Sequence, residues 1–207
     1  MFNSIVEKLS IELNNPLPGE IAQFKMAPEG RRNFKNAEKT IQAAVLILLY
    51  PINEDVYTVF MKRPEYEGIH GGQISFPGGK YELSDPDYEY TALRETSEEL
   101  GVSAETIKII GKLSQLHIPV SGFNVHPYIG FTSNTPNWKP DPLEVTRVIE
   151  TPLNLLADPN CIKNEMWNLH NTNLNVPFFN IGNEKIWGAT AMITAELIDV
   201  YNNSLKL

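Results

Sequence analysis

The chain has 207 residues, 42% of them apolar, and its 25 acidic against 17 basic side chains give a net charge of −8. That is enough apolar material for one globular core, and no internal repeat divides it. An acidic balance with a pI near 5.0 argues against a general nucleic-acid surface or an anionic-membrane surface.

A single cysteine, Cys161, permits no internal disulfide and has no zinc-type spacing around it; it reads as a small apolar filler in a cytoplasmic protein. No apolar run approaches the ~20 residues of a membrane span. The N-terminus interrupts its apolar residues with Glu7, Lys8 and Glu12, unlike a secretory signal.

Phe2, Ile5, Val6, Leu9 and Leu13 recur at helical spacing, so residues 2–13 read as an amphipathic docking helix ended by Asn14-Asn15-Pro16. Residues 16–36 read as a linker, and its Arg31, Arg32 and Lys35 either approach a substrate phosphate or form solvated surface. The chain thus divides into an N-terminal helix and linker, 1–36, packed on a main domain, 37–207.

The apolar, β-branched run 41–50 reads as a buried strand; Pro51–Asp55 turns the chain and 56–61 returns it as a hairpin. Lys62 and Arg63 stand at the strand's end, where loops carry function. Residues 63–79 then hold five glycines and lead into Gly78-Gly79-Lys80. They do not form a P-loop, because Ile74 stands six places before Lys80 and Tyr81 follows it.

Asp85-Pro86 fits an N-cap and first-turn proline, and Gly101 fits a C-terminal stop, so a helix is expected over 86–100. On it Glu95, Glu98 and Glu99 share a face about 100° wide, while Leu93, Thr96 and Leu100 point the opposite way. Clustered carboxylates cost a helix roughly 0.2–0.5 kcal/mol per pair, which Arg94 offsets in part by pairing with Glu98. A solvated acidic face is the ordinary reading of Glu-x-x-Glu-Glu. The glycine turn ahead favours the other one, since bare backbone supplies carbonyls and close approach, and hard divalent cations take carboxylate and carbonyl oxygens together.

Beyond the helix, 106–113 and 122–131 read as strands joined by a loop at 117–122, and the proline-rich 136–142 as loop. Residues 152–156 read as a turn or short helix, 176–187 as a hairpin about Gly182-Asn183-Glu184, and 188–201 as a closing amphipathic helix. Phe178 and Trp187 read as core.

Gly79, Arg94, Glu95, Glu98, Glu99, Gly101 and Val102 resemble the Nudix box, a glycine and a spaced acid followed by Arg-Glu-x-x-Glu-Glu-x-Gly and an apolar residue. The place of the spaced acid is Pro86, with Asp85 beside it and Glu82 as an alternative. Upstream, His70-Gly71-Gly72-Gln73-Ile74-Ser75-Phe76-Pro77-Gly78-Gly79 resembles the signature of Nudix enzymes that act on coenzyme A, although Gly68 stands where that signature has arginine. Trp187-Gly188-Ala189-Thr190 resembles the end of the same branch.

The resemblance implies an α/β fold, an α/β/α sandwich with a mixed sheet, and a Mg2+ or Mn2+ cofactor. Glu95, Glu98 and Glu99 become the metal carboxylates, with a carbonyl of Gly78 or Gly79 added. Arg94 orients a glutamate, and the general base is one of the box glutamates or Glu144. Arg63, His70, Gly72 and Gly78 are the candidate substrate-binding residues. A histidine beside glycines is more often an ordinary loop residue than a general base, so His70 is a candidate for substrate positioning at most.

The implied reaction is hydrolysis of the diphosphate of coenzyme A or acyl-CoA to 3′,5′-ADP and a phosphopantetheine. Gly68 favours a different nucleoside diphosphate derivative, such as ADP-ribose or a dinucleotide. A Nudix-like module that holds a nucleotide without cutting it is the reading from another class, and the three intact box carboxylates speak against it. The sequence leaves oligomeric state open, a homodimer among the options.

Overall fold

The computed structural model describes residues 2–31, 40–65, 72–169 and 172–207. Its centre is strand β1 (Ile41–Ile52), which forms a hairpin with β2 (Asp55–Lys62) through a two-residue loop whose Asn53 has φ 55°. The short β3 (Ile74–Ser75) extends β2, and β4 (Gly78–Lys80) pairs with β1.

Helix α3 (Tyr88–Leu100) crosses to β5 (Lys108–Lys112), β6 (Leu116–Ile118) and β7 (Phe123–Phe131). Strand β7 lies parallel to β1, from Ile41 opposite Phe123 to Leu49 opposite Phe131. A parallel neighbour requires such a long crossover. Strand β8 (Arg147–Pro152) pairs with β2 and completes an eight-stranded mixed sheet.

Strand β1 is buried on both faces, which is why its sequence is nearly continuous in apolar residues rather than alternating. Ala44, Leu46, Leu48 and Tyr50 meet Ala92 and Leu100 of α3 in one core. Ile47 and Leu49 lie in the other, with Phe2, Val6 and Leu9 of α1 (Phe2–Glu12) and a long row from α5 (Gly188–Ser204). The sheet therefore sits between helices, an α/β/α sandwich.

The segment expected as linker is organised: α2 (Glu20–Gln23) leads into a 3-10 turn, Phe24–Met26. It is fastened by Glu196 of α5, wholly buried, which accepts from Gly19 N (3.1 Å), Ser114 N (3.1 Å) and Gln23 Nε2 (2.8 Å). Arg31 is buried and donates to the His117 carbonyl (2.9 Å), so it is not placed toward a substrate phosphate; Arg32 and Lys35 lie outside the described residues.

A short helix α4 (Leu153–Ala157) precedes a second, three-stranded sheet of β9 (Ile162–Leu169), β10 (Thr172–Ile181) and β11 (Glu184–Trp187), with β10 in the middle. The expected hairpin is β10–β11, turning on Gly182 (φ 60°). Strands β8 and β9 were not expected from the sequence, and His117 and Ile118, expected as loop, belong to strand β6. Cys161 is buried, donates to Asn180 O (3.4 Å), and has its thiol pushed above the usual range by burial. No described helix is long and apolar enough to cross a membrane.

Candidate active site

The site lies where β4 runs beneath the acidic face of α3. The helix begins two residues later than the sequence suggests: Asp87, not Asp85, is the N-cap and accepts from Tyr90 N at 2.8 Å. Asp85 is instead buried, where Arg94 grips both its oxygens (Nε–Oδ1 and Nη2–Oδ2, 3.0 Å each) and Thr91 Oγ1 donates to it at 2.9 Å. The guanidinium holds the Asp85 carboxyl down to about 2.

Arg94 also contacts Glu95 (3.0 Å), Glu98 (2.9 Å) and the Lys80 carbonyl (3.3 Å), tying the helix to the end of β4. These contacts hold the carboxylates of α3 in register with β4. Glu98 is well exposed, Glu95 half-buried, and Glu99 only 1% exposed.

Glu99 is the centre of the site. Its Oε2 accepts from Gly78 N (2.8 Å) and its Oε1 from Arg63 Nη2 (3.0 Å), which also donates to the Gly78 carbonyl (3.2 Å). Burial nonetheless outweighs these partners and pushes Glu99 up to about 8, with the charges of Glu95 and Glu144 adding to it. Glu95 is raised for the same first reason, burial, with Glu98 and Glu144 contributing. Three box carboxylates and Glu144 thus share one electrostatic neighbourhood.

The two glycines make that neighbourhood possible. A Cβ on Gly78 (φ +148°) would overlap the Ala44 carbonyl of β1, and one on Gly79 would overlap the Glu95 carboxylate. Gly72 (φ 68°) closes the loop returning to β3, donating to the Pro64 carbonyl at 3.0 Å. His70 lies outside the described residues.

Glu144 follows the proline-rich loop expected at 136–142, whose docking onto the helix no local pattern marks. Around Pro140 the chain passes the end of α3: Lys139 N and Asp141 N donate to the Leu100 and Glu99 carbonyls (2.9 and 3.0 Å). Those groups would otherwise be orphaned at the helix end, where Gly101 (φ 69°) forms the left-handed cap. Asp141 O then accepts from Glu144 N and Val145 N (3.1 and 2.8 Å), and Thr146 N and Oγ1 both donate to Lys62 O (2.9 and 3.0 Å). Sequence reasoning gave Arg63 no carboxylate partner, because 36 residues separate it from Glu99.

A hard cation fits this donor set. Carboxylates raised by burial and by one another, despite Arg94 and Arg63, still gain from added positive charge, and the missing side chain at Gly79 lets the strand lie close against the Glu95 carboxylate. As the side chains stand, Glu95 and Glu98 lean on Arg94 and Glu99 on Arg63, and among the described residues no three His, Cys, Asp or Glu side chains form a ready cage.

The NUDIX domain family model matches residues 40–149. The chain is 33% identical over 159 residues to the uncharacterized Nudix hydrolase NudL of Yersinia pestis and to that of Yersinia pseudotuberculosis, covering 75% of this chain and 77% of theirs. In fold it is similar to the Nudix hydrolase RenU of M. smegmatis (TM-score 0.57, 15% identity, 82% of this chain and 94% of that one). A MutT/nudix family protein of Enterococcus faecalis gives a TM-score of 0.54 at 16% identity, over 97% of this chain and 73% of that one. With its acidic helix, glycine strand and mixed sheet, this chain belongs to the Nudix hydrolase family.

Proposed function

We propose that the protein hydrolyses the diphosphate linkage of coenzyme A or an acyl-CoA, releasing 3′,5′-ADP and a phosphopantetheine. The observation that carries the hydrolytic part is the convergence of Glu95, Glu99 and Glu144 beside the Gly78-Gly79 strand, with Glu99 buried. The coenzyme A part rests on the resemblance of residues 70–79 to that branch's signature.

Glu95, Glu98 and Glu99, with a carbonyl of Gly78 or Gly79, would hold Mg2+ or Mn2+. Bound there, the cation neutralises diphosphate charge and lowers the pKa of a coordinated water. Arg94 keeps Glu95 and Glu98 aligned, and Arg63 holds Glu99 under the strand. Either Glu144, exposed on its loop, or a box glutamate accepts the water's proton. His70 and Gly72 belong to the loop we assign to substrate binding.

Gly68, in place of the signature's arginine, favours a second reading, in which another nucleoside diphosphate derivative such as ADP-ribose is cut by the same carboxylates. Parallel product analysis with coenzyme A, ADP-ribose, NADH and nucleoside triphosphates, in Mg2+ and in Mn2+, separates the two. Preferential release of 3′,5′-ADP from coenzyme A supports the first; preference for another substrate overturns it.

A further inference from the structure

The three-stranded sheet ends in an unusual edge. Strand β9 pairs with β10 without a bulge over eight positions, from Ile162 opposite Phe179 to Leu169 opposite Thr172. No described strand covers its other side, and Ile162 through Met166 are all exposed. Natural edges are blunted by shortness, bulges, proline or charged side chains. This one is neither short, bulged nor broken by proline, and its two charged residues, Lys163 and Glu165, have opposite signs and can therefore pair instead of repel.

The direction of its free backbone groups follows from the β10–β11 hairpin. Ile181 and Glu184 flank a two-residue turn, so they form a hydrogen-bonded pair, and the pattern alternates back along β10. Phe179 therefore faces β11, Phe178 faces β9, and the nitrogen of Pro177, which carries no hydrogen, points away from β9. Asn164, opposite Pro177, then directs its own N–H and C=O outward, as do Ile162 and Met166.

We propose that β9 is a self-complementary dimerisation edge, occupied by β9 of a second copy of this chain running antiparallel about a two-fold axis at Asn164. That register sets Asn164 against Asn164 and Ile162 against Met166 as hydrogen-bonded pairs, using the outward groups. It also sets Lys163 directly opposite Glu165, twice by symmetry, in the narrow pairs where side chains approach most closely. No other two-fold register brings the opposite charges of β9 together. Glu165 is held for the purpose, since Lys185 Nζ (2.6 Å) and Trp167 Nε1 (2.8 Å) both donate to its Oε2. Ile162 (39% exposed) and Met166 (66%) cover each other across the axis. The two small sheets become one continuous sheet, an isologous contact.

The test is sedimentation of the full chain over about a hundredfold range of concentration. The expected mass rises from one chain to two. K163E places two acidic residues opposite each other and E165K two basic ones, so each variant alone is expected to stay monomeric throughout. An equimolar mixture of the two restores both complementary pairs, and a mixed dimer should appear, which also shows that both variants are folded. A parent chain that stays monomeric, single variants that dimerise as the parent does, or a mixture that stays monomeric would each overturn the proposal.

Discussion

Replacing Glu99 by glutamine tests the electrostatics of the site in two opposite directions. Burial holds the folded Glu99 at about 8 against an ordinary 4.5. The folded state keeps that proton longer than the unfolded one, so in metal-free protein the stability is fullest below pH 4.5 and declines until pH reaches about 8. At about 1.4 kcal/mol per pH unit, the buried carboxylate costs the fold about 4 kcal/mol at pH 8. The amide removes that charge but turns an N–H toward either Gly78 N or Arg63, a mismatch of about 1–3 kcal/mol. The net gain for E99Q is about 2 kcal/mol, a rise in Tm of roughly 4–8 °C for a chain of this size. Hydrolysis should fall by about a thousandfold or more, since an amide is a poor ligand for a hard cation. Thermal unfolding in chelator at pH 8 and pH 4.5, with turnover measured alongside, is the assay. A variant no more stable than its parent at pH 8, or one whose advantage persists undiminished at pH 4.5, refutes the account. Turnover within about tenfold of the parent sinks the metal assignment.

Arg94→Met should leave Asp85 buried without its cation, costing about 3 kcal/mol in chemical denaturation, and lower kcat more than it raises KM because Glu95 and Glu98 lose their alignment. Asp85→Asn should flatten the acid limb of the stability curve. The Asp85 contribution is present above pH 4 and lost as pH falls toward 2, so an unchanged limb would contradict its pairing. Gly101→Ala forces a side chain into a left-handed residue against the Lys139 carbonyl and should cost about 2 kcal/mol or more, read as a shifted denaturation midpoint. Glu196→Ala should leave the amides of Gly19 and Ser114 unpaired and speed proteolysis within residues 14–31 ahead of any other segment.

Much of the frame was legible because its causes are local. The run 41–50 is apolar on both faces and could only be an interior strand, and Gly101 after Leu100 marks a helix end that the backbone bears out with φ 69°. The helix start was misread because Asp85 and Asp87 are equally good caps by type. What distinguishes them is Arg94, which draws Asp85 away across nine residues of chain. Strand β9 carries no apolar alternation, being exposed at Ile162–Met166, so its only signal is the partner β10. That Glu95, Glu98 and Glu99 lie together on one helix was legible from spacing, whereas the pairing of Arg63 with Glu99 and the folding of 139–141 onto the helix end are tertiary contacts with no local trace.

Those contacts close on themselves. From Glu99 the chain of bonds runs through its own carbonyl to Asp141, on to Thr146, to the Lys62 carbonyl, along one peptide to Arg63, and back to the Glu99 carboxylate. A ring is redundant where a string is not: opening it at one place leaves every member still tethered from the other side. Opening the ring at the Thr146 hydroxyl, where the Thr146 amide still reaches the Lys62 carbonyl, should therefore be mild, whereas opening it at Arg63 also leaves the buried Glu99 without its cation and should be severe on its own.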